Sequence, residues 1–250
     1  DVPDNSGSDR CEKGSDLSIA THWSEFLRYL KADIFHACKA PSRWKSQEWM
    51  NRGGIAGAVT ILSSIDGHVR SGIRANQFDR FKIFRTYIQP FGRSQTQLGV
   101  IAAFLAASRM RKKPEWMDTG FLCLEALVLT GCIVLPLKGV LGRKRPRDTE
   151  NAFHFELFSF ENSSFPSGDT TSVFAMATVI AGRFSSLWVR WIAYTIGVLV
   201  AVSRIYRSRH WLSDTLAGIA FGKTIGNYVL IRHSDRTRKT NDYVPDILSP

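Results

Sequence analysis

Residues 166–214 read PSGDTTSVFAMATVIAGRFSSLWVRWIAYTIGVLVAVSRIYRSRHWLSD. Pro166-Ser167-Gly168 is followed by an unbroken run rich in Ala, Val and Ile, which predicts a helix over 169–183 with its free backbone N–H groups at Ser167 and Gly168. A helix of about 15 residues runs some 22 Å from its start at 1.5 Å per residue. The Gly182–Ser186 stretch then turns the chain, and a second apolar run over 187–203 returns over a similar length. Ser203 and Arg204 therefore come back to the end where Ser167 began. His210 and Asp214, four apart, are expected to open the next helix on one face.

Upstream, Lys138 and Arg145-Pro146 form a third group of the same character. Seven residues apart, the two cations share a face if both lie on a helix, and Pro146 disfavours helical geometry at Arg145, so a helix ending there carries both at its mouth. Taken alone, each cluster is ordinary: arginines serve as loop charges, Ser and Asp cap helices, and His with Asp makes surface pairs. Taken together they bring three cations, a hydroxyl, a helix start and a histidine with its carboxylate to one place.

Further apolar runs predict helices near 52–66, 95–110, 119–137 and 210–231, and no alternating strand pattern competes with them. The expected fold class is all-α, a helical bundle of about six core helices. Before it, Leu17, Ile19, Trp23, Phe26, Leu27, Leu30 and Ile34 recur at helical spacing and predict an amphipathic N-terminal helix, read as a packing helix with a membrane-surface helix as the alternative. The division expected is a polar tail over 1–14, the amphipathic segment over 15–50, the helical domain over 51–235 and a charged tail over 236–250.

A net charge of +11 points to anionic partners such as phosphate esters or anionic lipid surfaces. The basic residues are not gathered on one helix or strand, and no nucleic-acid motif is present, so no nucleic-acid partner is expected. The four cysteines, at 11, 38, 123 and 132, have no zinc spacing. Cys123 and Cys132 fall on opposite faces of one helix and are expected to be buried thiols; Cys11 and Cys38 are either bridged or free. The chain starts at Asp1 with no apolar leader, which suggests an exported mature chain. Glu125, Arg183, Arg190 and Lys223 interrupt or border the apolar runs, and a mean hydropathy of −0.11 is low for six spans, which leaves open spanning, short or tilted spans, and surface attachment.

The pattern Lys138-x6-Arg145-Pro146, Pro166-Ser167-Gly168, Ser203-Arg204-x5-His210-x3-Asp214 resembles the type 2 phosphatidic acid phosphatase superfamily, which includes lipid phosphatases, bacterial acid phosphatases and vanadium haloperoxidases. The resemblance covers about residues 95–231. It implies a helical bundle that hydrolyses phosphomonoesters through a phosphohistidine, without metal or other cofactor. By that resemblance His210 is the nucleophile and Asp214 holds its ring tautomer, while Lys138, Arg145, Arg204, Ser167 and the Gly168 N–H bind the phosphate. The sequence departs from the family at Asp169, where the family carries a histidine that protonates the leaving group. A carboxylic acid can donate that proton over a shorter reach; His154 is a second candidate. The partner implied is a phosphorylated lipid or small phosphomonoester at a membrane surface or bilayer, in a bacterial-type cell envelope, on its membrane or periplasmic face. Two alternatives stand beside it. A vanadate-dependent haloperoxidase would use the same anion cradle but normally needs the histidine that Asp169 replaces. A non-catalytic phosphate or headgroup binder would have no use for an oriented His210–Asp214 pair. Phe153, Phe155, Phe158 and Phe160 beside the cradle suit an acyl or prenyl chain, or serve as packing.

Overall fold

The computed structural model describes residues 19–43, 45–75, 86–159, 161 and 163–242. The tail over 1–14, Cys11 and Phe160 lie outside them. The chain divides into two compact units, Asp1–Pro41 and Ser42–Pro250. The first is described by one helix, α1 (Ile19–Lys39), in which Trp23 packs edge-on against Phe26 at 5.6 Å, while Trp23, Leu27 and Phe35 are exposed.

The second unit contains α2 (Ser46–Ser63), α3 (Asp66–Ala75), α4 (Ser94–Arg111), α5 (Pro114–Leu141), α6 (Gly168–Arg183), α7 (Leu187–Tyr206) and α8 (Leu212–Asp242). Among the described residues no strand forms; one isolated bridge pairs Arg143 with Phe155. The all-α bundle expected from the apolar runs is the fold observed. The helix expected over 52–66 is α2, which starts earlier, at Ser46, and ends at Ser63; a separate helix, α3, starts at Asp66. The last helix, expected to stop near 231, continues through its charged residues to Asp242.

At the centre lies α6, whose residues from Thr170 to Val179 are all buried, and it packs on α5, α7 and α8. Its closest neighbour is α8, which presents Gly218, Gly222 and Gly226 one turn apart. A Cβ at Gly222 would lie 2.5 Å from the Thr171 carbonyl, and one at Gly226 2.7 Å from the Ala175 carbonyl. Only glycine at these positions lets the two backbones approach so closely. Gln97 of α4 closes the other side by donating to Ser172 Oγ at 2.8 Å.

The two ends of the bundle differ. At one end Phe104, Trp116 and Phe184 form an aromatic cluster with centroids about 6 Å apart, and the buried Glu125 of α5 receives Arg236 of α8 at 3.0 Å. At the other end sit the residues of the three clusters. Both α5 and α7 are long and apolar enough to cross a membrane. Leu187, Trp188, Trp191, Ile192 and Val198 form an exposed apolar face along α7, whereas Val200, Ala201, Ser203 and Arg204 are buried. The opposite-face geometry expected for the α5 cysteines holds, but only Cys123 is buried; Cys132 is exposed, because the far face of a helix with one packed side cannot also be in the core. Cys38 is exposed as well.

Candidate active site

Lys138 stands in the last turn of α5, and its Nζ donates to the Ser163 carbonyl at 2.8 Å. Just beyond it, Gly142 takes the left-handed conformation (φ 54°) and returns its N–H to the Lys138 carbonyl at 2.9 Å. A Cβ at Gly142 would collide with the Glu156 carbonyl oxygen, so the position requires glycine on two counts. The helix therefore stops at Leu141, and Arg145 is not on it. The expectation that Lys138 and Arg145 share a helical face is corrected: Gly142 acts before Pro146 can. Arg145 instead sits in a turn whose carbonyl accepts from Asp148 N at 2.9 Å. Its guanidinium is held below its ordinary pKa by burial and then by the charges of Arg147 and Arg209, and its buried Nε has no hydrogen-bond partner.

The first residue of α6 faces the lysine, since a Cβ on Gly168 would lie 3.9 Å from Lys138 Cε. Ser167, fully buried, shares a hydrogen bond with Thr170 Oγ1 at 2.9 Å, and its N–H donates to the Asp214 carbonyl at 3.1 Å. Asp169 lies one residue into α6, and its Oδ2 is 3.1 Å from Arg204 Nε. That contact joins the second and third clusters. It is an ion pair rather than an aligned hydrogen bond, because Arg204 Nε remains without a hydrogen-bond partner.

Arg204, at the end of α7, is steered from a place the sequence did not advertise. Its Nη2 donates to the Gln89 carbonyl at 3.1 Å, and a Cβ on Gly92 would come within 2.3 Å of that same nitrogen. The single 3-10 turn Gln89–Gly92 thus leaves room for the guanidinium and holds it.

His210 does not open α8. It precedes it, after a turn in which Ser208 has φ 50°, and α8 begins at Leu212. Asp214 occupies the first turn of α8, where its Oδ2 reaches back to accept the Trp211 N–H at 2.8 Å, as the third residue of a capping box does. The two side chains still meet, but not as the sequence implied. His210 Nδ1 donates to the Ser164 carbonyl at 2.7 Å, while Asp214 Oδ2 is 3.8 Å away, a charge contact beyond hydrogen-bond length. Ser164 therefore sets the tautomer and leaves the Nε2 lone pair unprotonated. Burial, helped by Lys138, lowers the His210 pKa below its ordinary value despite the opposing pull of Asp214 and Asp169. Burial alone would raise that of Asp214, but His210, Arg143 and the Trp211 N–H outweigh it and bring it down.

Behind Asp214 lies a fully buried arginine outside the motif positions. Arg143 donates to the Ala152 carbonyl at 2.9 Å, to Ser213 Oγ at 2.8 Å, to Asp214 Oδ1 at 2.5 Å and to Asp66 Oδ2 at 2.8 Å. His154 faces Thr149 and Glu156 in the neighbouring loop, with Nε2 3.6 Å from Glu156 Oε1.

The structure thus gathers all three clusters at one end of the bundle. The model of the PAP2 superfamily matches residues 119–238. That stretch is just under half of the chain. The chain is 34% identical over 102 residues to a lipid A 1-phosphatase of Porphyromonas gingivalis, covering 40% of this chain and 20% of that protein. It is 33% identical over 111 residues to a lipid A 1-phosphatase of Rhizobium etli, covering 41% and 45%. The chain spans less than half the length of these curated relatives. The fold also matches the crystal structure of a transmembrane PAP2-type phosphatidylglycerolphosphate phosphatase from Bacillus subtilis with a TM-score of 0.57 at 23% identity, covering 73% of this chain and 95% of that one.

Proposed function

We propose that this chain is a membrane-associated lipid-phosphate phosphatase that works through a phosphohistidine. The observation that carries the reading is His210, buried with Nδ1 committed to Ser164 and Nε2 free, at the point where Lys138, Arg145 and Arg204 converge. Arg145 Nε and Arg204 Nε are buried donors without hydrogen-bond partners, which is what an anion cradle offers to a phosphoryl group. In the first step His210 Nε2 attacks phosphorus and the ester oxygen departs, taking a proton from Asp169 in its protonated form. In the second, water attacks the phosphohistidine, gives a proton back to Asp169 and releases inorganic phosphate, restoring His210. Asp169 must let go of Arg204 when the phosphate arrives, since both seek the same guanidinium.

A lipid substrate is supported by the surroundings. A largely apolar cavity of about 530 Å³ lies between α2 and α8, lined by Ile55, Val59, Phe155, Phe165, Ala217 and Phe221, and it shares Arg143 with the site. The apolar outer face of α7 and the length of α5 support residence in a membrane, with both helices as spans. The relatives named as lipid A phosphatases support the same substrate class.

The test is phosphate release from lipid phosphates in mixed micelles, with and without His210→Ala. Loss of a covalent nucleophile is expected to cut kcat by at least about a thousandfold while the fold is kept. An acid-labile, base-stable phosphoenzyme should form in the native protein and not in the variant. Turnover by a folded His210→Ala protein at near-native rate would overturn the assignment.

A further inference from the structure

We propose that Asp66 is a positioning residue for the nucleophile: it neutralises Arg143, so that Asp214 keeps its negative charge for His210. This rests on the reading of His210 given above. Asp66 opens α3, outside the residues matched by the family model and 148 positions before Asp214 in a chain of 250. Its carboxylate is fully buried and accepts three hydrogen bonds, from Arg143 Nη2 at 2.8 Å, from Ser213 N at 3.0 Å and from Ser213 Oγ at 2.5 Å. Ser213 Oγ in turn accepts from Arg143 Nη1 at 2.8 Å. Every donor and acceptor in this knot is used in a consistent sense.

The charge count gives the knot its purpose. Arg143 alone with Asp214 would be a neutral buried pair, and His210 would stand beside a spent carboxylate. Adding Asp66 leaves two carboxylates on one guanidinium, a net single negative charge immediately behind the imidazole. That charge stabilises the imidazolium character that develops as Nε2 bonds to phosphorus, without lending its own hydrogen bond to the ring. It opposes Lys138 of α5, which faces His210 with the other sign; Asp169 of α6 and Asp214 of α8 are the remaining ionisable groups against the ring, with Arg145, Arg204 and Arg209 around the phosphate position.

The placement of α3 supports a role in the site rather than in packing alone. Asp66 and His210 both line a water-sized void of about 10 Å³, together with Arg70 and Ser208. One turn after Asp66, Arg70 Nε donates to the Pro146 carbonyl at 2.8 Å, next to Arg145. The helix is therefore fastened to the nucleophile's support by one residue and to the phosphate loop by another.

The experiment measures kcat/KM against pH with a soluble aryl phosphate for the native protein, Asp66→Asn, Arg143→Gln and the double variant. In parallel, the His210 imidazole is titrated by NMR with labelled histidine. Asp66→Asn removes one negative charge and should move the acid limb and the imidazole titration to lower pH, by about half a unit to one unit. Arg143→Gln should move both to higher pH. The double variant restores the native charge and should return close to the native position. A purely structural role predicts lower activity with both curves unmoved, and that result would overturn the proposal. If Asp66→Asn alone does not fold, the double variant must still titrate at lower pH than Arg143→Gln, and equality of the two would count equally against it. Failure of every form to release phosphate from any ester would sink the phosphatase reading, while the imidazole titration would still judge Asp66.

Discussion

Asp169 occupies the position where the family pattern carries a histidine, and its carboxylate is held 3.1 Å from Arg204 Nε. It therefore has two conceivable duties, donating a proton to the leaving oxygen and screening an arginine until phosphate arrives. These separate by leaving group. If it is the acid, Asp169→Asn should slow alkyl phosphates by about a hundredfold or more and p-nitrophenyl phosphate far less, because only the alkoxide needs a proton. Equal slowing of both would leave it with the screening duty alone. At this scale the motif residues were legible in the sequence because their spacing is short and their chemistry unusual. Ser164, Arg143 and Asp66 were not. A backbone carbonyl leaves no mark in a sequence, Arg143 is one of three arginines in a basic run, and Asp66 sits beside a glycine as any turn aspartate would. The contact of His210 Nδ1 with the Ser164 carbonyl was hidden for the same reason, since a four-residue spacing between His210 and Asp214 says nothing of a carbonyl delivered from residue 164.

Helices were legible as apolar runs, but their ends were set by single residues acting through conformation. Gly142 ends α5 before Pro146 can, and the turn at Ser208 leaves His210 ahead of α8 rather than inside it. Neither shift spoils the convergence, because the clusters need only reach the same end of the bundle. What the convergence does need is the close approach of α6 and α8. Gly222→Ala places a methyl group 2.5 Å from the Thr171 carbonyl and 2.7 Å from Phe174 Cβ, and should destabilise the protein by about 1–3 kcal/mol, read as a lowered denaturation midpoint. Gly131→Ala on α5, where a methyl group meets nothing within 4 Å, should be neutral or stabilising by up to about 1 kcal/mol. Comparable destabilisation by both would mean that the glycine stripe is not a packing device.

On the scale of the whole molecule, the three residue clusters lie at one end of the bundle, and α7 leads away from them past an exposed apolar face. Trp188 and Trp191 lie on that face, while Trp211 is buried beside the site, its Nε1 donating to the Lys144 carbonyl at 2.8 Å. In vesicles of lipids with brominated acyl chains, variants retaining only Trp188 or only Trp191 should be strongly quenched and one retaining only Trp211 should not. Quenching of none would place α7 outside the bilayer. Arg204 and Trp188 are 16 residues apart on α7, hence about 24 Å; with α7 as a span, the proposed reaction would take place at one boundary of the membrane. Under the proposed function the two products enter different phases. Phosphate escapes into bulk water, where its inhibition follows molar concentration, whereas the dephosphorylated lipid stays in its leaflet and competes with substrate by mole fraction. Diluting the vesicles in buffer relieves the first kind of inhibition and leaves the second untouched.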